Sequence, residues 1–324
     1  MDISFHRGYT VYADGRDDSL CIIAPHSGPA FDFSNARDDN SETVAGLCWK
    51  KSGGTLIVSN ISRLREWGVD FNRDIPPLDL ALSMYPEIAN RKMSDRSSAY
   101  KAKYGWVAKS EDDYYARLKI YQNFWSAASG FRYVIMVHRA LSRIKSVPSI
   151  MDVITFIEKG VKKENIKETV SAVNTKYYQF LKSIEKTYKQ FILLEQERAI
   201  TNTINKFGTF NIEKLPAAYR NLFRKDLQKI KVYSEKYVVK RLLNNFTPQT
   251  FLGATQHALE KIPTPQVTIE NVFDGSLAWG PKRKLFPLKD KIIMEVEPTY
   301  FMNRWYPEIT ADIIVDIARM LKRV

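Results

Sequence analysis

Two different spacings of apolar residues divide this chain. Short apolar runs occupy 19–24 (SLCIIA), 55–59 (TLIVS), 132–137 (RYVIMV), 266–272 and 291–296 (KIIMEV). Such runs, stopped by Pro, Gly or polar clusters, predict strands buried on both faces. Helical stretches alternate with them. Residues 42–51 read as a helix halted by Gly53-Gly54, and 309–322 as an amphipathic closing helix. Ser110-Glu-Asp-Asp113 opens a further helix like a capping box, running to about 129 before Gly130. Strands alternating with helices predict an α/β fold, a mostly parallel mixed sheet flanked by helices.

The period changes between 149 and 260. Ile166, Val170, Val173, Tyr177, Phe180, Ile184, Phe191 and Leu194 recur at steps mostly of three and four, a helix seam. Pro216 separates it from a second helical stretch over 217–244. No strand pattern is visible here. The expected organisation is an α/β catalytic domain built from 1–148 and 261–324, interrupted by a long basic α-helical insertion over 149–260.

Charge sharpens that division. The formal net charge is +13, and residues 152–241 alone carry 19 Lys/Arg against 10 Asp/Glu. A basic face attracts nucleic acid, acidic lipid or an anionic substrate, although a solvated helical surface has the same composition. Tyr177, Tyr178, Tyr188, Tyr219 and Phe223 could stack bases, but their near-helical spacing suits core packing better. A nucleic-acid-binding or scaffold protein is therefore one reading of this segment.

Composition excludes other classes. With 44% hydrophobic residues the chain can bury a sizeable core. Cys21 and Cys48 are the only cysteines, too few for a disulfide framework, which favours a reducing compartment. The start, MDISFHRGYT, lacks a basic segment followed by an apolar run. No apolar stretch reaches the roughly 18 residues of a membrane-spanning helix. The expectation is a cytoplasmic protein with no membrane partner.

Only four histidines occur, at 6, 26, 138 and 257. His26, in Pro25-His26-Ser27-Gly28, and His138 each follow an apolar run. Both are thus expected at the carboxyl ends of buried strands, the edge at which open α/β sheets bind ligands. His6 and His257 read as structural or surface residues. Catalytic zinc takes three protein ligands, so a carboxylate or a further histidine near His26 should join the two histidines. Glu42, Asp38 and Asp39 all lie near enough in sequence to supply it. Arg63, Arg65, Asn72 and Arg73 cluster before Pro76-Pro77. Guanidinium forks suit a substrate carboxylate, and salt bridges to Glu66, Asp70 or Asp74 would explain the same loop. Glu295 and Glu297 share one face of the late strand, where an acid near a metal could serve as general base.

Taken in order, Pro25-His26-Ser27-Gly28, Glu42, Arg63, Arg65, Val69-Asp-Phe-Asn-Arg73, His138 after its strand, and Ile-Met-Glu295 resemble the N-formylglutamate amidohydrolase family. The resemblance covers about 19–75, 132–138 and 291–324. It implies the fold and zinc-site plan of the zinc carboxypeptidases, with zinc held by His26, Glu42 and His138. It also implies Asn72 and Arg73 gripping a substrate carboxylate and Glu295 as general base; beside these, Arg65 is expected to join the grip and Arg63 or Arg139 to stabilise the oxyanion. Water activated by the metal would then cleave a C–N amide bond of an N-acyl amino acid, or, alternatively, trim peptide C-termini as a metallocarboxypeptidase does. Four features depart from the family pattern: Arg139 in place of Ser, Glu297-Pro298 in place of basic residues, Phe301 in place of Tyr, and the helical insertion.

Overall fold

The computed structural model describes residues 1–30, 37–90, 94–140, 147–215, 247–271, 275 and 291–323. Within these, eight strands form one mixed sheet: β1 (Asp2–His6), β2 (Tyr9–Ala13), β3 (Leu20–Ala24), β4 (Thr55–Ser59), β5 (Tyr133–Val137), β6 (Ser149–Ile154), β7 (Gln266–Ile269) and β8 (Ile292–Pro298). Their order is β1-β2-β4-β3-β5-β8-β6-β7. The central β4-β3-β5-β8 block is parallel. β1, β2 and β4 pair antiparallel at one end, and β6 runs antiparallel to β8 but parallel to β7 at the other.

The near-continuous apolar runs follow from burial on both faces. Leu20, Ile22 and Ala24 face one core, with Tyr133, Ile135 and Val137 of β5 and Met294 and Val296 of β8. Cys21 and Ile23 face the other, with Val134, Met136 and Ile293. The first core is covered by α1 (Ser41–Ser52), α5 (Lys163–Lys176), α6 (Tyr178–Phe207), α7 (Pro248–Lys261), α8 (Tyr300–Trp305) and α9 (Pro307–Leu321). The second is covered by α2 (Leu78–Ala89) and α4 (Glu111–Ala128), with α3 (Asp95–Lys103) packed outside α2. By strand alternation Glu295 and Glu297 lie on the second face, in line with Ile293.

The segment over 149–260, expected to be strand-free, supplies β6. Asp152 hid it by interrupting the apolar run SIMDVI. In the fold that carboxylate is buried and accepts from Thr268 Oγ1 at 2.7 Å and Asn271 N at 3.0 Å. The helical seam does form, as α5 and α6. Ile166, Val170, Val173, Ile184 and Tyr188 pack into the same core as the sheet and α9. Tyr188 is fully buried and donates to Ser149 O at 2.6 Å, and Tyr177 donates to Asp316 Oδ2 at 2.8 Å. These two rings are thus spent on packing, whereas Tyr178 is exposed. The predicted helix over 217–244, with Tyr219 and Phe223, lies outside the described residues, as does Val272. No helix of the described residues is long and apolar enough to cross a membrane.

Candidate metal centre

β3, β5 and β8 run parallel, so their carboxyl ends open on one edge, and His26 and His138 both stand there. His138 directly follows β5. Its N–H donates to Val296 O at 2.9 Å, and its carbonyl accepts from Asn303 Nδ2 at 3.2 Å. His26 sits in the turn after β3. Ser27 fixes that turn by donating to Ala24 O at 2.9 Å and Ser59 O at 2.8 Å, tying β3 to β4. Gly28 is required by close approach, because a Cβ there would fall 2.0 Å from Ile61 O. The loop after β4 can therefore lie directly against the histidine turn.

That loop is folded by its own alternation. Phe71 points into the core and stacks on Phe124 at 3.8 Å between centroids. Asp70 and Asn72, on either side of it, point toward the histidines. From α4, Arg117 donates to Gly68 O at 2.7 Å, Arg65 O at 3.2 Å and Glu66 O at 3.2 Å, and Tyr121 donates to Arg73 O at 2.9 Å. The loop is thus held by main-chain bonds from a rigid helix.

The two imidazoles converge, with ring centroids 4.8 Å apart. The acid between them is Asp38, not Glu42. Asp38 Oδ2 lies 2.9 Å from His138 Nδ1 and 3.2 Å from His26 Nδ1. The reason is local. Asp38 N donates to His26 O at 3.0 Å, which docks the returning loop beneath the imidazole. Asn40 then adopts the left-handed conformation (φ 61°) and starts α1 at Ser41. Glu42 lies within the first turn of that helix and pairs with Arg37 instead. Asp39 is exposed.

Each imidazole is also held from behind. His26 Nε2 lies 3.0 Å from Asp70 Oδ1. Asp70 in turn meets Arg65 at 2.9 Å and Arg63 at 3.4 Å, and accepts from Asn72 N at 3.0 Å. His138 Nε2 lies 3.2 Å from Asn72 Nδ2 and 3.7 Å from Glu295 Oε1, and Asn72 Nδ2 donates to Glu295 Oε1 at 3.1 Å. His26, Asp38, Asp70, Asn72, His138 and Glu295 are all buried.

Charge and burial compete throughout. Burial pushes the Asp38 carboxyl up, but hydrogen bonds with His138 and His26 and the charge of Arg63 outweigh it and hold the group well below the carboxylate range. Asp70 behaves alike, with burial overcome by Arg65 and Arg63. Burial and Arg63 keep His26 below its ordinary value, hence neutral. His138 is raised to about 10, because Asp38, Glu295 and Glu297 together overcome burial. Glu297, half-buried beside this cluster, is pushed up to about 8 by burial, with Asp38 and Glu295 adding to the shift.

The donor set fits a divalent cation. Three ligand atoms, from His26, Asp38 and His138, all lie within 4.8 Å of one another. Tetrahedral bonds of about 2.0–2.2 Å would separate ligand atoms by roughly 3.3–3.6 Å, close to the 2.9 and 3.2 Å found between the nitrogens and the Asp38 oxygen. Two imidazoles and a carboxylate are ligands zinc accepts. Asp70 behind His26 stands where an outer carboxylate would fix the tautomer of that histidine were it to bind a metal.

The arginines divide into two groups. Arg65 is spent, on Asp70 and on the carbonyls of Lys101 at 2.7 Å, Tyr104 at 3.3 Å and Arg63 at 3.3 Å. Arg63 bridges Asp38 at 3.5 Å and Asp70. For these two, salt bridging within the loop explains the sequence cluster, and Asn72 belongs with Glu295 and His138. Arg73 and Arg139 differ. Each is partly buried with an Nε that has no hydrogen-bond partner, and neither forms an ion pair among the described residues. His6 stacks on Tyr9, and His257 is half-exposed on α7, both away from the centre. Asp70 and Glu297, which the sequence offers only as a salt-bridge partner of the arginines and as the face-mate of Glu295, both join the centre. Their signal was an acid set among apolar residues, in Val69-Asp-Phe and in the alternation of β8.

No family model matches the chain, and no curated protein does. Among solved structures the chain is similar to the gene product Atu2144 from Agrobacterium tumefaciens, with 12% identity and a TM-score of 0.45 over 98% of this chain and 95% of that one. The functional reading therefore rests on the residues themselves.

Proposed function

We propose that this chain is a metal-dependent amide hydrolase, with zinc held by His26, Asp38 and His138, acting on a small substrate that bears a carboxylate. One observation carries the reading: both Nδ1 atoms point at one carboxylate oxygen, 2.9 and 3.2 Å away, while His26 Nε2 faces Asp70 at 3.0 Å and His138 Nε2 lies 3.7 Å from Glu295. Zinc in such a set supplies a Lewis acid and water of lowered pKa.

The chain's own groups would do the rest. Glu295, buried at the same edge, would accept the proton of the attacking water and pass it to the leaving nitrogen. Asn72, bonded to Glu295 and adjacent to His138, would hold that carboxylate in place beside His138. Arg73 and Arg139, with guanidinium atoms left over, would take the substrate carboxylate and the developing oxyanion. Asp70 would hold His26 in the tautomer that leaves Nδ1 free to ligate.

Zinc titration of the metal-free protein tests the centre. Asp38→Asn should weaken zinc binding at least about 10-fold, while Glu42→Gln should leave it within about twofold. Equal losses in both, or none in either, would remove Asp38 as a ligand. A panel of N-acyl amino acids and short peptides tests the reaction, separating an amidohydrolase from a carboxypeptidase. Glu295→Gln should keep zinc and lose turnover, and unchanged turnover would exclude it as the base.

A further inference from the structure

The two edges of the sheet are treated differently. At one edge lies β7, and the outward main-chain groups of Val267 on it are covered. Asn174 of α5 donates from Nδ2 to Val267 O at 2.9 Å and accepts from Val267 N at 2.9 Å. A side-chain amide thus occupies the place of a neighbouring strand, a way of protecting an edge from further pairing.

The other edge, β1, has no such guard among the described residues. All five of its residues are exposed. It carries no Pro or Lys, and its register with β2 is unbroken from Asp2↔Ala13 to His6↔Tyr9. The ladder fixes which main-chain groups point outward. On β2 the even-numbered positions serve β4, since Asn60 N donates to Gly8 O and Asp14 N to Gly54 O, the bonds that flank that pairing. Tyr9, Val11 and Ala13 therefore bond β1 through His6, Ser4 and Asp2. Ile3 and Phe5 are left with N–H and C=O directed away from the sheet. Their side chains are 42% and 80% exposed, on one face of the strand.

The sequence Asp2-Ile-Ser-Phe-His6 complements itself when paired antiparallel about Ser4. Ile3 then opposes Phe5 of a second copy in two hydrogen-bonded pairs, giving four main-chain bonds and two β-branched–aromatic contacts. Asp2 opposes His6, an acid facing a base at each end. Ser4 meets its own counterpart in a non-hydrogen-bonded pair, the closer kind.

We infer that β1 is a self-association edge, on which a second copy of this chain adds its own β1 antiparallel about Ser4 to give one continuous sheet across a two-fold axis. A five-residue strand pair buries less than the roughly 1,200 Å² of standard stable interfaces, so the association is weak and concentration-dependent.

Sedimentation of the full chain tests it. The weight-average mass should rise from 37.5 kDa toward twice that value as concentration increases from about 5 to about 500 µM. Phe5→Pro removes an outward donor while leaving the β1–β2 bonds in place, and should weaken the dimer at least tenfold with an unchanged circular dichroism spectrum. Ile3→Lys should do the same without touching the backbone. Because Cys21 and Cys48 are buried, Ser4→Cys presents the reactive thiol and should form a disulfide-linked dimer under mild oxidation. Asp2→Cys should not, because the two-fold separates the copies of that position by about 14 Å along the strand. A monomer at every concentration, or cross-linking through position 2 as readily as through position 4, overturns the proposal.

Discussion

Replacing Asp70 by Asn separates what this carboxylate does for the fold from what it does for the centre. The side chain is fully buried, 3.0 Å from His26 Nε2 and 2.9 Å from Arg65, whose own side chain is only 13% exposed. Asn keeps an oxygen for His26 and for the Asn72 N–H but removes the charge that two arginines face. Leaving a buried charge uncompensated costs about 3–5 kcal/mol. The retained hydrogen bonds place the expected loss near the low end, about 3 kcal/mol, or a melting temperature lower by roughly 5–8 °C. Loss of an outer carboxylate behind a ligating histidine should also weaken zinc binding about 10- to 100-fold. Because the native pKa of Asp70 is depressed, its contribution is full above the unfolded value of about 3.9 and fades below it, so the stability gap should close as pH falls through that range. Thermal unfolding of the metal-free protein from pH 3 to 7, with zinc competition against a chelator at pH 7, reads both effects. A melting point within about 1 °C of the wild type would refute the buried-charge argument, and zinc affinity within twofold would refute the positioning role.

Two smaller perturbations probe the surroundings. Gly28→Ala puts a methyl 2.0 Å from Ile61 O, a main-chain atom, so the histidine turn must move; a loss of about 1–3 kcal/mol in chemical denaturation is expected, with weaker zinc binding alongside. Glu185 is held at about 2 by hydrogen bonds from Lys182 and Lys189. Glu185→Gln should therefore cost about 1 kcal/mol at pH 7, and that difference should vanish as pH falls from about 4.5 toward 2; a difference independent of pH would dissociate the effect from charge.

How far the sequence reveals this arrangement depends on range. β3, β4, β5 and β8 were legible because burial on both faces leaves uninterrupted apolar runs, and α1, α4 and α9 because their stops and periods are local. Convergence of His26 and His138 was legible for a topological reason, since each follows a strand of one parallel block. β6 was not, because Asp152 reads as a break until its partners Thr268 and Asn271 are known, and they lie more than a hundred residues away. The same limit explains Glu42. An acid opening a helix is a visible signal, whereas the docking of Asp38 beneath His26 depends on one main-chain bond and a left-handed Asn40. Arg65 looked like a substrate clamp because nothing local shows that Lys101 and Tyr104 offer their carbonyls to it.

The charge balance of the centre leads to a final test. Asp38, Asp70, Glu295 and Glu297 bring four carboxyl groups against the permanent charges of Arg63 and Arg65, an excess of two negative charges. Protons offset it in the metal-free protein: His138 is raised to about 10 by Asp38, Glu295 and Glu297 against the opposing effect of burial, and Glu297 is raised to about 8 by burial and by its acidic neighbours. A dication supplies the same two positive charges at the same place, and His138 must give up its Nδ1 proton to ligate. Zinc binding at pH 7 should therefore release close to two protons. At about pH 9 Glu297 is already ionised, so release should fall toward one, and affinity should climb steeply with pH below 8 and less steeply above it. Calorimetry in buffers of different ionisation enthalpy measures the number directly. Release of less than half a proton at pH 7 would mean that zinc does not displace the His138 proton, and a centre built on His26, Asp38 and His138 could not stand.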